Sequence, residues 1–325
     1  MDAITTILLG PNRGVNVLSL DWSHLIVLDA CRCDIFKHVY KEYFPSDAEF
    51  KCVISPASST MEFVRKNLDD NIKEKLKNTL FVNSNPVIDN ILEARLEMLF
   101  HKYIPVWREH WDSKIGTVRP EVTYYVALRT YVRNPGKRMI IWFLQPHYPY
   151  LNEKFAHINV LGKEQHNRNI SSILRSILYK IPEKDKNIEK VIVLTALIKS
   201  IVKLGCLFLG GPSKLGVYMR RNTHEVIRAY ISNLIKVLYY VKKLAEVLPG
   251  KIVITSDHGE AFGEPLSKLL PLRVYGHPSR IRISSLTQVP YLVVENKISQ
   301  HEAIRKAFRH LTHLFTARTR CSEVQ

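Results

Sequence analysis

Cysteine is scarce in this sequence and odd in number: Cys31, Cys33, Cys52, Cys206 and Cys321 are the five in 325 residues. No two pairs repeat at zinc-finger spacing, and Cys31-x-Cys33 is one residue short of a redox CxxC. On the end of a strand those two side chains would point to opposite faces. The expectation is therefore reduced, buried thiols and a cytoplasmic chain. No secretory leader is expected either, since residues 1–22 show no basic stretch followed by an apolar core. Long apolar runs are few. The run that approaches a membrane span, 191–209 (VIVLTALIKSIVKLGCLFL), carries Lys199 and Lys203. Each lysine at the centre of a span costs about 2.5–3.5 kcal/mol on insertion scales. At i and i+4 the two share one helical face. The run predicts an amphipathic helix, packed on the core or lying peripherally at the inner membrane face, rather than a spanning one.

Acidic residues are in deficit, 30 against 47 Lys and Arg, for a formal net charge of +17. That excess selects anionic partners: an acidic lipid surface, a phosphorylated or sulfated substrate, or nucleic acid. Nucleic acid is the less favoured, because the basic residues are spread along the chain without an arginine-rich tract or an aromatic-interleaved repeat. The sequence also lacks internal repeats and low-complexity linkers. Its 46% hydrophobic content is enough for a sizeable core.

Apolar runs punctuated by polar residues set out the architecture. Strands are expected at 25–28, 50–54, 79–82, 139–144, 251–255 and 290–294. The run at 139–144 (MIIWFL) has no polar alternation, as suits a central parallel strand buried on both faces. Helical patterns separate the strands, from Thr60 to Asn67, through most of 166–248, and at the C-terminus. Strands alternating with helices predict a mostly parallel sheet with helices on both faces.

In such sheets ligands gather beyond the carboxyl ends of the strands. The polar residues that come after the apolar runs are Asp29, Ser55 to Thr60, His147, and Asp257 with His258. Asp257 and His258 can converge on one divalent ion, and their oxygen and nitrogen donors suit Mn²⁺ or Zn²⁺. Asp29 can add a second carboxylate. Arg32 and Asp34 are placed to pair and fix the following loop, or Asp34 to cap the helix. Ser59-x-x-Glu62 has capping-box spacing, which makes Ser59 the cap and Thr60 the first helical residue. A hydroxyl at that helix start also lies where free N–H groups favour an anion, and a nearby metal would make Thr60 a nucleophile. The two readings are compatible. His147, flanked by Pro146 and Pro149, is a candidate to contact a substrate oxygen or protonate a leaving group. His277 is a weaker candidate for a substrate contact or a second metal.

Four strings occur in order: LIVLDACRCDIF (25–36), SPASSTMEF (55–63), FLQPHYPY (143–150) and ITSDHGEAFGE (254–264). Together they resemble the alkaline phosphatase–sulfatase superfamily, and within it the sulfatase-like proteins of archaea and bacteria with a D-A-C-R-x-D start. The resemblance implies an α/β, alkaline-phosphatase-like three-layer sandwich: a mostly parallel central sheet, helices on both faces and a helical insertion. The chain then reads as a single domain over 1–325, with a core at about 24–154 and 222–296, an insertion at about 155–221, and a C-terminal helix at 297–325. It further implies one metal held by Asp29, Asp257, His258 and Thr60, with Thr60 as nucleophile and Ser59 as the fallback. His147 matches the H-x-P-[YF] histidine that contacts the substrate head group.

Two departures shape the functional expectation. The C/S-x-P-x-R motif that sulfatases oxidise to formylglycine is absent, and so is an evident Asp-x-x-x-His pair for a second metal. An unmodified threonine fits phosphoryl chemistry. The leading expectation is a one-metal phosphodiesterase or phosphotransferase acting on a lipid head group or glycan. A sulfatase working without formylglycine, and a catalytically silent basic binding protein, are the alternatives.

Overall fold

The computed structural model describes residues 14–68, 70–92, 95–163, 214–267 and 272–322. The run 191–209, and with it most of the expected insertion, lies outside the described residues.

Every strand expected from an apolar run forms. In chain order the strands are β1 (His24–Asp29), β2 (Glu49–Ile54), β3 (Thr79–Asn83), β4 (Lys102–Pro105), β5 (Arg138–Pro146), β6 (Gly250–Ser256), β7 (Ala261–Pro265), β8 (Arg273–Gly276) and β9 (Gln288–Asn296). All but β7 and β8 join one seven-stranded sheet in the order β2-β9-β6-β1-β5-β3-β4, and β7 and β8 make a separate antiparallel pair. Neighbours from β6 across to β4 run parallel. β9 runs against both β6 and β2, so the sheet is mixed and mostly parallel. β4 was not expected, because a four-residue, half-exposed edge strand carries too short an apolar signal.

The pleat sends alternate side chains into two different cores. On β1, Ile26 and Leu28 enter one and Leu25 and Val27 the other; on β5, Met139, Ile141 and Phe143 part in the same way from Ile140 and Trp142. The first core is closed by α1 (Cys33–Val39), α3 (Pro120–Arg133), α4 (Thr223–Val247) and α5 (Gln300–Ser322), through residues such as Phe36, Tyr124, Leu128, Leu234, Leu238 and Ala303. The second is closed by α2 (Thr60–Asn67), by short helices between 73 and 99, and by the segment carrying Val17, Leu18 and Trp22. The result is an α/β sandwich of three layers.

Local sequence explains the helices that border the carboxyl edge of the sheet. On α4, Tyr230, Leu234, Val237, Leu238, Val241 and Leu244 fall at the three- and four-residue steps of one buried stripe. Pro120 opens α3 at a position where a missing N–H costs nothing. Ser59 caps α2, accepting from the Glu62 N–H at 3.4 Å. The reciprocal bond shifts by one residue from the expected capping box: Glu62 Oε2 accepts from the N–H of Ser58 at 3.0 Å.

The cysteine expectation is overturned. Cys33, at the first position of α1, and Cys52, on the sheet-edge strand β2, form a disulfide, while Cys31 stays free and buried. The two lie 19 residues apart in sequence but 5.8 Å apart at Cα, a proximity created by the packing of α1 on β9, the strand that pairs with β2. Disulfides persist in oxidising compartments, so the cytoplasmic placement is withdrawn, the inner membrane face with it, and the bond points outside the cytoplasm. Among the described residues, no helix is long and apolar enough to cross a membrane.

Reduction of the folded protein should lower its unfolding free energy by about 3 kcal/mol, the chain-entropy value for a loop of this length. Urea titrations with and without reductant measure the difference, and Cys52→Ser should abolish it. Identical midpoints under both conditions would show that the bond is not formed.

Candidate metal centre and active site

The segments that follow three strands, β1, β2 and β6, deliver Asp29, Thr60, Asp257 and His258 to one edge of the sheet, and all four residues are buried. The backbone has to turn sharply at each point. Between Leu28 and Asp29 the β1–β5 register slips, so that Leu28 faces Phe143 and Asp29 faces Pro146. Ala30 then adopts a left-handed φ of 57°. The N–H of His147 donates to the Asp29 carbonyl at 3.2 Å, which ties the end of β5 to the end of β1. After β6, the Gly259 N–H donates to the Leu286 carbonyl at 2.8 Å. A Cβ on Gly259 would stand 2.1 Å from the Ser285 carbonyl oxygen, so only glycine lets the chain leave His258 along that path.

Each candidate ligand has one atom tied back and another aimed into a shared space. Asp257 Oδ1 accepts from the N–H groups of Ala30 (3.1 Å) and His258 (2.9 Å), leaving Oδ2 to accept from Thr60 Oγ1 at 2.7 Å. Asp29 Oδ2 is held by the Asn85 amide, and Oδ1 lies 3.8 Å from His258 Nε2. His258 Nδ1 is 2.8 Å from the Gly259 carbonyl, a bond that places the ring proton there and leaves the Nε2 lone pair free. That Nε2 is 3.3 Å from both Asp257 Oδ2 and Thr60 Oγ1. The ligand atoms of Asp29, Asp257 and His258 all fall within 4.8 Å of one another.

Electrostatics make the same space suitable for a cation. Burial pushes the Asp29 carboxyl well above the usual range, and the facing Asp257 carboxylate pushes it further. Burial lowers His258, so its imidazole is the neutral form that a metal needs. Two carboxylate oxygens, one imidazole nitrogen and one hydroxyl make a four-donor set that fits Zn²⁺ or Mn²⁺.

A second cluster adjoins the first. His147, Glu260 and His277 also bring ligand atoms within 4.8 Å of one another. The His277 ring lies 4.8 Å, centroid to centroid, from His147 on one side and from His258 on the other. Burial and then the neighbouring His277 lower His147 to about 4. Burial also works against charging His277, but the Glu260 carboxylate, 3.1 Å from Nδ1, outweighs it and raises that ring to about 9. One ring of the pair is therefore neutral and the other cationic at neutral pH.

The residues singled out from the sequence are thus distributed over two touching groups, with one exception. The Ser59 hydroxyl caps α2 and meets Ser279 Oγ at 2.6 Å, away from the carboxylates. Arg32 and Asp34 do pair, at 2.6 Å. Three contributors escaped the sequence reading. Asn85 stands two residues beyond the end of β3, so a strand-end rule widened to the following turn could have found it. Glu260 stands two residues after His258, inside the same ITSDHGEAFGE string. Asn233 of α4 donates to the carbonyls of Pro146, His147 and Pro149 at 3.0–3.3 Å and shapes the loop that presents His147. No local pattern marks it.

No family model and no curated protein matches the chain. Solved structures do resemble it. One is the lipooligosaccharide phosphoethanolamine transferase A of Neisseria meningitidis, an integral membrane protein, at 12% identity and a TM-score of 0.47, covering 87% of this chain. The chain spans only 50% of that protein's length. A second is the C-terminal periplasmic domain of the phosphoethanolamine transferase EptC from Campylobacter jejuni, at 13% identity and a TM-score of 0.43, with 89% of this chain and 88% of that one covered. The corresponding domain from Escherichia coli, in complex with Zn, reaches 12% identity and a TM-score of 0.42 over 90% of this chain and 78% of that one. At this degree of overlap the chain has a distant structural resemblance to phosphoethanolamine transferases, and its own site geometry has to carry any reading of activity.

Proposed function

We propose that this protein is a divalent-metal-dependent transferase or hydrolase of phosphate esters, with Thr60 as its nucleophile. One observation supports the reading above the rest: a buried threonine hydroxyl at a helix start sits 2.7 Å from an aspartate oxygen and 3.3 Å from a bare imidazole nitrogen. Asp29, Asp257, His258 and Thr60 would hold a Mn²⁺ or Zn²⁺ ion, which when bound would supply the Lewis acidity that makes the hydroxyl nucleophilic at neutral pH. The chain's own residues do the rest. Asp257 Oδ2 accepts the Thr60 hydrogen bond and so turns an oxygen lone pair toward the substrate. The first turn of α2 offers its N–H groups and positive dipole end to the transferred anion. Attack by Oγ1 on phosphorus forms the Oγ1–P bond of phosphothreonine and breaks the ester P–O bond; the hydroxyl proton passes to Asp257 Oδ2, and the leaving oxygen takes a proton from water. Water or an acceptor hydroxyl then takes the phosphoryl group and restores Thr60. His147 and His277 border the same space and contact the ester's head group.

The substrate class is an anionic phosphate ester carried on a lipid head group or glycan, in keeping with the +17 charge. Sulfate esters are the second choice, because nothing in the chain offers a formylglycine precursor motif. A two-cation version of the same site is favoured by one specific observation, the His147–Glu260–His277 group beside the first cluster. Metal content per chain at saturation, one or two, decides between them.

Thr60→Ala should lower turnover of bis-(p-nitrophenyl) phosphate by at least about a thousandfold, while the far-ultraviolet circular dichroism stays unchanged. EDTA should abolish wild-type turnover, and Mn²⁺ or Zn²⁺ should restore it. Metal-independent turnover, or activity retained in the variant, would reject the assignment; a preference for p-nitrophenyl sulfate would reverse the substrate order. Asn85→Ala, which frees Asp29 Oδ2, should weaken metal binding about 10- to 100-fold by calorimetric titration. Unchanged affinity would mean that the Asn85 contact does not tune the metal site, and Asp29→Asn then tests the ligand itself.

A further inference from the structure

Arg32 takes no part in that chemistry, yet its buried guanidinium is committed in several directions. Nε and Nη2 fork the Asp34 carboxylate at 2.9 and 2.6 Å. Nη1 donates to the Glu260 carbonyl at 3.1 Å and to the Glu264 carboxylate. The guanidinium carbon lies 5.3 Å from the centre of the Phe262 ring. The Arg32 N–H donates to Tyr230 Oη of α4 at 2.9 Å, and that hydroxyl donates to the Ala30 carbonyl at 2.7 Å. An arginine that only fixed its own loop would need Asp34 and nothing more. This one reaches across to the residue whose carboxylate holds His277, and it starts three residues after Asp29.

We propose that Arg32 is a positioning residue that sets the spacing between the two side-chain clusters. It clamps the turn after β1, which carries Asp29, onto the approach to β7, which carries Glu260. From Glu260 the constraint passes to His277 and so to the rings of His147 and His258. A planar fork is required, because a single ammonium group cannot hold Asp34 bidentately and the Glu260 carbonyl at the same time. Charge alone would be supplied equally by lysine. The kinetic consequence rests on the phosphate-ester reading above; the geometric one does not.

The test is Arg32→Lys in the full chain, labelled with ¹⁵N-histidine. Ring-nitrogen spectra should show His277 and His147 displaced and His24, buried at the opposite end of β1, unmoved. With bis-(p-nitrophenyl) phosphate, kcat should fall at least about tenfold while KM changes by less than about twofold. In a Glu260→Gln background the same substitution should cost less than about twofold, because the route through Glu260 is already broken. Unmoved His277 and His147 rings in the folded variant, or equal losses in both backgrounds, would overturn the proposal. Should Arg32→Lys fail to fold, Glu264→Gln loosens the clamp from the β7 side with Arg32 intact and is read by the same criteria. A wild type that turns over no ester rejects the enzymatic reading alone, and the ring spectra then decide the positioning role.

Discussion

Asp29, Asp257 and His258 are buried within a few ångströms of one another, and the carboxyl edge of the sheet is organised around that constraint. Two carboxylates in a dry space repel each other, and each loses hydration that only hydrogen bonds or a cation can replace. The fold supplies the hydrogen bonds from one side: Ala30 and His258 N–H groups to Asp257, the Asn85 amide to Asp29, and the Gly259 carbonyl to the imidazole. The other side of each group is left facing the common space. The slipped register at Asp29, the left-handed Ala30 and the close passage of Gly259 past Ser285 are the backbone adjustments that keep this arrangement in place.

The second cluster answers the first electrostatically. Burial would raise Glu260, yet its surrounding histidines, His277 foremost, hold it below the usual carboxylate range. The same pairing keeps His277 cationic while His147 beside it stays neutral. A site whose one half gathers negative charge and whose other half presents an imidazolium next to a neutral imidazole is suited to a metal on one side and an anionic head group on the other. Arg32 bridges the backbone segments that carry these halves, so its place in the loop after β1 concerns their spacing as much as local stability.

Support for the edge comes from the layers behind it. β1 sits between β5 and β6 and is buried along its whole length. The strands that end at Asp29, His147 and Asp257 are therefore the best anchored in the sheet. α4 packs on this region, and from it Tyr230 and Asn233 reach the loops after β1 and β5. The Cys33–Cys52 bond ties the helix after the Asp29 loop to the edge strand that leads to Thr60.

Sequence alone determined six of the nine described strands and the polar residues that follow them. An apolar run long enough to cross a sheet, followed within a few residues by Asp29, His147 or Asp257, is a local signal, because hydrophobic periodicity is a local property. The edge strand β4, the β7–β8 pair and the antiparallel direction of β9 were not legible in this way, because short or half-exposed strands carry little apolar signal and direction is settled by partners far along the chain. The disulfide, the Asn85 hold on Asp29, the Glu260–His277 pair and the reach of Arg32 to the Glu260 carbonyl were decided only by tertiary structure. Each joins residues whose meeting depends on how the layers pack, and the composition of a segment says nothing about what another segment brings to face it.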